Sequence, residues 1–139
     1  MTIQTIQWIH TRLVQPAVIE YLDGPNSFTW CSAVFPYVVP KDYWLGIVDM
    51  QVGSKFTDGG PWQRASMLVL DNVGSVPDNV GFQSFRVPLV VPPGTCLRAK
   101  LINNDAEQQW MNSAITGLLV PKLIDQTWQD AFAFLFTGR

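Results

Sequence analysis

The sequence predicts an all-β protein, an antiparallel β-sandwich of jelly-roll type with a short C-terminal helix. Short apolar segments recur along the chain, and clusters of Gly, Pro, Asn and Asp separate them, as strands and turns require. Several segments alternate apolar and polar residues with the period of two of a strand that has one buried face. No regular succession of helices and strands is visible, so a parallel α/β sheet is not expected.

Length and composition fit one domain. The chain has 139 residues, and we expect residues 1–122 to form the sandwich and residues 123–139 an amphipathic, aromatic-rich helix. Only 14% of the residues are charged, against about 25% in ordinary domains, so part of the surface is expected to be covered by a partner or to carry Gln, Asn, Ser and Thr. The nine Lys and Arg are scattered and the net charge is −2, which argues against nucleic-acid binding.

The first half of the chain contains four predicted strands. The N-terminal segment TIQTIQWI places Ile3, Ile6 and Ile9 at intervals of three, which matches neither a strand nor a helix well, and we predict a strand. The other three are residues 27–39, 42–52 and 64–72, the first two joined by a turn at Pro40 and Lys41.

The segment FRVPLVVPPGTCLRAKLINND, residues 85–105, predicts a strand, a turn and a second strand. In the second strand Leu97 and Leu101 fall on one face and Arg98 on the other. Pro88 within the first strand predicts an edge position or a bulge, because proline donates no ladder hydrogen bond. Gly94 in the turn permits positive φ.

The segment WMNSAITGLLV that follows predicts a further strand. It places Met111, Ser113 and Ile115 on one face and Asn112, Ala114 and Thr116 on the other. The polar residues NNDAEQQ before it are expected to close a hairpin between the two strands.

The C-terminal segment changes to a helical period. Ile124, Trp128, Phe132 and Leu135 recur at helical intervals, Asp125 or Thr127 is expected to cap the start, and Gly138 the end. Two interpretations remain open for so aromatic a helix. It packs on its own sandwich, or it docks on a neighbouring subunit or another partner.

The sequence offers little catalytic chemistry. The single histidine, His10, has no second His or Cys/His cluster to form a metal site, and Asp49 is the one aspartate set within a predicted strand. We expect no catalytic residue, no cofactor and no metal, although a calcium site built from loop Asp and Asn oxygens stays open. Cys31 and Cys96 are interpreted as buried free thiols or, alternatively, as one long-range disulfide.

Aromatic side chains are the remaining functional lead. Tyr43, Trp44 and Trp62 are predicted at loops or strand ends. Such residues cap the core, anchor a protein interface, or form a platform that stacks on a sugar ring. All three roles stay open for them.

Residues 85–121 resemble the last strands of small β-sandwich proteins of tailed-bacteriophage particles. The resemblance is carried by the Pro-Gly-Thr turn at residues 93–95, the strand at 97–104 that ends at Asn-Asn, and the strand at 116–121 that ends in Gly-aliphatic-Pro. It implies a jelly-roll-like protein that serves as capsid decoration (cement) or as a tail or fibre adaptor, typically as a trimer, without catalytic residues.

The expected function is therefore that of a non-enzymatic virion structural protein, a homotrimer that binds and stabilises the phage head. Its expected partners are copies of itself and the major capsid or tail proteins, and its expected location is the virion, assembled in the host cytoplasm. No signal peptide or membrane span is visible. The predicted contact residues are Trp8, Trp128, Phe132 and Phe136. The alternative is a carbohydrate-binding sandwich, with Tyr43, Trp44 and Trp62 as its platform.

Overall fold

A computed structural model describes residues 2–16, 18–23, 33–55, 66–71, 73–76, 82–103 and 108–136. The described chain is mostly strand, with two short helices at its C-terminal end. The elements, in chain order, are β1 Gln4–Val14, β2 Ile19–Tyr21, β3 Tyr37–Val38, β4 Tyr43–Lys55, β5 Ser66–Leu70, β6 Gly74–Val76, β7 Phe82–Val91, β8 Cys96–Leu97, β9 Ala99–Asn103, β10 Gln109–Pro121, α1 Trp128–Ala131 and α2 Ala133–Phe136.

The strands form two four-stranded antiparallel sheets. Sheet 1 has the order β1-β10-β4-β7, and sheet 2 has the order β2-β9-β5-β6. The short pair β3-β8 continues sheet 2, because β8 runs into β9 after one residue. Among the eight strands of the two four-stranded sheets, the chain passes from one sheet to the other at every step except the β5-β6 hairpin. This is the double-sheet jelly-roll arrangement, so the predicted fold class is confirmed.

The strands of residues 85–121 do not pair as hairpins, which corrects the sequence-based expectation. β7 belongs to sheet 1, β9 to sheet 2, and β10 to sheet 1 again. The turn between β7 and β8 has Gly94 at φ 81°, and its backbone bonds to Val39 through Gly94 N–H (2.8 Å) and the Thr95 carbonyl (3.0 Å). Alternation reveals which face of a strand is buried, whereas the choice of partner depends on the whole sandwich.

The predicted alternation is confirmed in β9 and β10, but not in β7, where Val87 is 53% exposed. In β9, Ala99 and Leu101 are buried and Lys100 between them is half-buried. In β10, Met111 and Ile115 are buried. The inward residues of both sheets together form one apolar core, as a sandwich requires.

The edge position predicted from Pro88 is also confirmed. β7 is the last strand of sheet 1, and its register against β4 shifts, since Ile47 pairs with Leu89 but Asp49 pairs with Ser84. The missing N–H of proline is tolerated at such an irregular edge.

The N-terminal strand is confirmed as β1. Its buried residues follow an interval of two and not the interval of three that separates the isoleucines. Trp8 and His10 are buried, and Trp8 stacks on Phe35 with a centroid distance of 4.8 Å. Tyr37 meets the same indole edge-on at 5.2 Å, and burial raises the pKa of its phenol. The segment before β4 therefore closes the sandwich over β1.

Within the described residues 33–39, the strand predicted at residues 27–39 is confirmed only as β3. Residues 27–32 lie outside the described part, and beyond them only β3 is strand. Pro36 and Pro40 flank β3 and have no N–H to donate to a ladder, which limits the pairing to two residues. The strands predicted at 42–52 and 64–72 are confirmed by β4 and β5, although residues 64, 65 and 72 are not described.

A buried amide links the two sheets near the β1–β2 turn. Asn103, at the end of β9, is 1% exposed, and its Nδ2 donates to the Val14 carbonyl over 3.0 Å. Since Val14 ends β1, this bond joins the edge of sheet 1 to sheet 2. A buried carbonyl without such a donor is costly.

Replacing Asn103 with Ala should therefore lower the free energy of unfolding by about 1–3 kcal/mol, measured by urea denaturation. Asn112→Ala is the matched control, because the Asn112 Oδ1 accepts from Thr11 Oγ1 at an exposed site. The control should change stability by no more than about 0.5 kcal/mol. Equal losses in the two variants would contradict a structural role for the buried amide.

Candidate interaction surface

A second apolar cluster lies on the outer face of sheet 1, separate from the sandwich core. Its centre is the fully buried Phe132, with Val120 and Ala131 buried beside it. Partly buried apolar side chains surround these three residues, namely Trp44, Val90, Leu118 and Trp128. The chain after β10, residues 122–136 and here called the arm, is thus held against sheet 1 by an apolar contact.

Gly46 of β4 makes this contact possible. A Cβ atom at position 46 would lie 2.7 Å from Phe132 Cε1 and 3.0 Å from Pro88 Cβ. Real Cβ atoms do not approach other heavy atoms so closely, because interiors are already close-packed. The missing side chain therefore creates the depression that receives the Phe132 ring.

Backbone hydrogen bonds fix the start of the arm. Lys122 N–H donates to the Asp42 carbonyl over 2.8 Å, which ties the arm to the beginning of β4. Leu123 N–H donates to Gln126 Oε1 over 3.0 Å, and Gln126 N–H donates to the Leu123 carbonyl over 3.1 Å. Asp125 within this turn has φ 60°, a conformation that Asp tolerates better than most residues.

The predicted single C-terminal helix is instead two four-residue helices, α1 and α2. Thr127 caps α1, since its Oγ1 accepts from Asp130 N–H over 3.3 Å, and this settles the alternative of Asp125 or Thr127. Phe132 separates the helices with non-helical angles, because its ring turns toward sheet 1. Gly138, the predicted end, lies outside the described residues.

The side of the arm that faces away from sheet 1 is also apolar. Ile124 is 91% exposed and Leu123 is 60% exposed, and three side chains of α2 add to them. We call these exposed residues the arm surface: Leu123, Ile124, Phe134, Leu135 and Phe136. Several large apolar side chains exposed on one short segment are a candidate interaction site.

The structure corrects two of the four predicted contact residues. Trp8 and Phe132 are both 0% exposed, so neither offers surface to a second molecule. Trp128 is half-buried in the apolar cluster between the arm and sheet 1, and Phe136 belongs to the arm surface. The aromatic composition that singled out these residues does not distinguish a core position from an exposed one.

The predicted sugar platform is not brought together. Tyr43 and Trp44 are neighbours in β4 and point to opposite faces of sheet 1, since strand side chains alternate. Tyr43 packs against the sandwich core, and Trp44 packs beneath the arm, with Lys122 Nζ 5.7 Å from its ring. Trp62 lies outside the described residues.

The remaining candidates for chemistry are dispersed. His10 is buried in the core, 6.2 Å from the Phe35 ring, and Asp49 is half-buried in β4. Cys96 is exposed with a free thiol, which corrects its expected burial, and Cys31 is not described. Within the described ranges, no three His, Cys, Asp or Glu side chains are grouped so as to hold a metal.

Comparisons with known proteins leave the surface to be interpreted from its own geometry. No protein-family model, curated protein or solved structure gives a significant match to the chain. Among the described residues, no helix has the length and apolar character needed to cross a membrane.

Sequence reasoning missed the most exposed part of the arm surface. The helical spacing predicts Ile124 on the apolar face of a helix, but Leu123 and Ile124 precede the Thr127 cap and belong to a turn. The capping signal at Thr127 was visible, and placing the helix start there would have left both residues outside it.

Removing the Phe132 ring should release the arm, because truncating a buried phenylalanine to alanine costs about 3–5 kcal/mol. In Phe132→Ala, the amides of residues 128–136 should lose protection in hydrogen-exchange mass spectrometry, while those of β4 and β10 keep it. Phe136→Ala is the matched control, since Phe136 is 47% exposed and its loss should leave the protection largely intact. An arm that stays protected without the Phe132 ring would show that other contacts hold it.

Proposed function

We propose that this protein is a non-enzymatic structural protein of a virus particle, which assembles with copies of itself and decorates the phage head. The observation that carries the proposal is the arm surface. Its residues are apolar and exposed on an arm whose other side is already packed on sheet 1. An arm that is apolar on both sides suits a position between its own sandwich and a second molecule.

The energetics favour association through this surface. Burial of apolar area contributes about 25 cal/mol per Å², from which the cost of lost translational and rotational freedom is subtracted. The arm is already ordered by Phe132 and by the turn at Leu123 and Gln126. Binding therefore requires little additional ordering of the chain, which favours a permanent contact.

The fold is compatible with this role but does not assign it. Jelly rolls form viral capsid domains and also lectins, so function must be argued from the surface rather than from the architecture. The resemblance of residues 85–121 to proteins of tailed-phage particles favours the first of these uses. The sugar-binding alternative loses support, because Tyr43 and Trp44 face opposite sides of sheet 1.

The proposed partners follow from this role. Copies of the same chain meet through the arm surface, with a trimer as the expected stoichiometry. The assembled ring or cluster then binds the major capsid protein and stabilises the head, and the protein resides in the virion. A position on the tail or a fibre is the variant of this proposal that particle labelling distinguishes.

Replacing two exposed arm residues should dissociate the oligomer. We expect the full chain to be an oligomer in light scattering over a range of concentrations, and Ile124→Ser/Phe136→Ser to be monomeric. Full burial of such a side chain contributes about 1.5–3 kcal/mol, and Ile124 is 91% but Phe136 only 47% exposed, so association should weaken at least about tenfold. The folded state should persist, since neither side chain belongs to a buried cluster.

The control variant is Ile3→Ser/Leu13→Ser, which removes two exposed apolar side chains at β1. It should keep the mass of the parent. A full chain that is monomeric at all concentrations, or an arm variant that keeps the parent mass, would refute self-assembly through the arm.

The assignment to a particle is tested by immunogold labelling. Antibodies against the purified chain should label the heads of particles produced from the genome that encodes it. Particles without label would refute a structural role in the virion, and label confined to tails would refute decoration of the head.

A further inference from the structure

A second exposed apolar patch lies on the outer face of sheet 2. In β9, Ala99 and Leu101 face the core, so Lys100 and Ile102 face outward. Cross-strand partners share a face, which places Ile19, the partner of Ile102, and Tyr21, the partner of Lys100, on this outer face.

The patch continues onto the β3-β8 pair. Val38 pairs with the exposed Cys96, and Val38 itself is 59% exposed. Ile19 is 51% exposed. We call these outward residues of β2, β3 and β9, together with Arg98 between β8 and β9, the sheet 2 patch: Ile19, Tyr21, Val38, Arg98 and Ile102.

The patch carries one positive charge that is not balanced within it. The Arg98 guanidinium lies 4.3 Å from the centroid of the Tyr21 ring, a cation–π contact that holds it over the apolar residues. The neighbouring Lys100 is paired with Asp71, with 3.4 Å between Nζ and Oδ1. Arg98 is therefore the charge that this patch offers to a partner.

The arm has the complementary character. Beside its apolar surface it exposes two carboxylates, those of Asp125 and Asp130, whereas Lys122 is half-buried near the Trp44 ring. An apolar surface rimmed by acids fits an apolar patch that carries an arginine, because complementary charges fix the orientation of a contact.

We propose that the arm surface of one copy docks on the sheet 2 patch of the next copy. The proposal rests on the proposed self-assembly and names the site that receives the arm. The two surfaces share no residue and belong to different sheets, so the contact is heterologous. An open chain of copies therefore has a free arm surface at one end and a free sheet 2 patch at the other. Further copies add head to tail until a ring closes.

The first test removes the patch. Ile19→Ser/Val38→Ser changes two side chains that are more than half exposed, so the fold should persist in circular dichroism. Self-association should weaken at least about tenfold, as with Ile124→Ser/Phe136→Ser, and both variants should be monomeric in light scattering at concentrations where the full chain is assembled.

The second test mixes the two variants. The patch variant retains its arm and the arm variant retains its patch, so an equimolar mixture should contain a heterodimer with twice the monomer mass. The heterodimer should stop at that size, because the only surfaces left free on it are the substituted ones. An arm that binds another arm would give no mixed species.

The possible failures are distinguishable. If the arm variant keeps the parent mass, the proposed function fails and the docking proposal falls with it. If the arm variant dissociates but the patch variant keeps the parent mass, only the docking site is wrong. Two monomeric variants that give no heterodimer on mixing would likewise overturn the docking site alone.

Discussion

The contact between the Phe132 ring and the backbone of β4 at Gly46 determines how this protein presents its surface. The ring lies where a Cβ atom would stand 2.7 Å from it, so the arm is seated directly on sheet 1. Without that seat, the two four-residue helices would be too short to persist in water. With it, Ile124 and the residues of α2 are held outward on an otherwise ordered arm.

The jelly-roll sandwich supplies the frame on which two different apolar surfaces are placed. Sheet 1 carries the arm over β10, β4 and β7, and sheet 2 carries an apolar patch with Arg98 over Tyr21. Both surfaces combine exposed apolar side chains with nearby charges, which is the character that the proposed self-association requires, since apolar centres provide affinity and charged rims provide orientation.

Much of the fold was predictable from local patterns, and most of the surface was not. The alternation around Leu101 and the proline at position 88 correctly indicated a half-buried strand and an irregular edge. Pairing was not predictable, because alternation does not identify the partner strand. The alternation of side chains along a strand predicts that Tyr43 and Trp44 lie on opposite faces of the sheet. The depression at Gly46 was not predictable, because it depends on a contact with Phe132, 86 positions later in the chain.

The most direct measurement is the native mass of the Gly46→Ala variant, determined beside Gly53→Ala in the same strand. The added methyl group at position 46 should displace the Phe132 ring, unseat the arm and dissociate the assembly, while circular dichroism still reports a folded sandwich. Gly53→Ala should keep the parent mass. A Gly46→Ala variant that remains folded and assembles like the parent would contradict the claim that the seated arm creates the interaction surface.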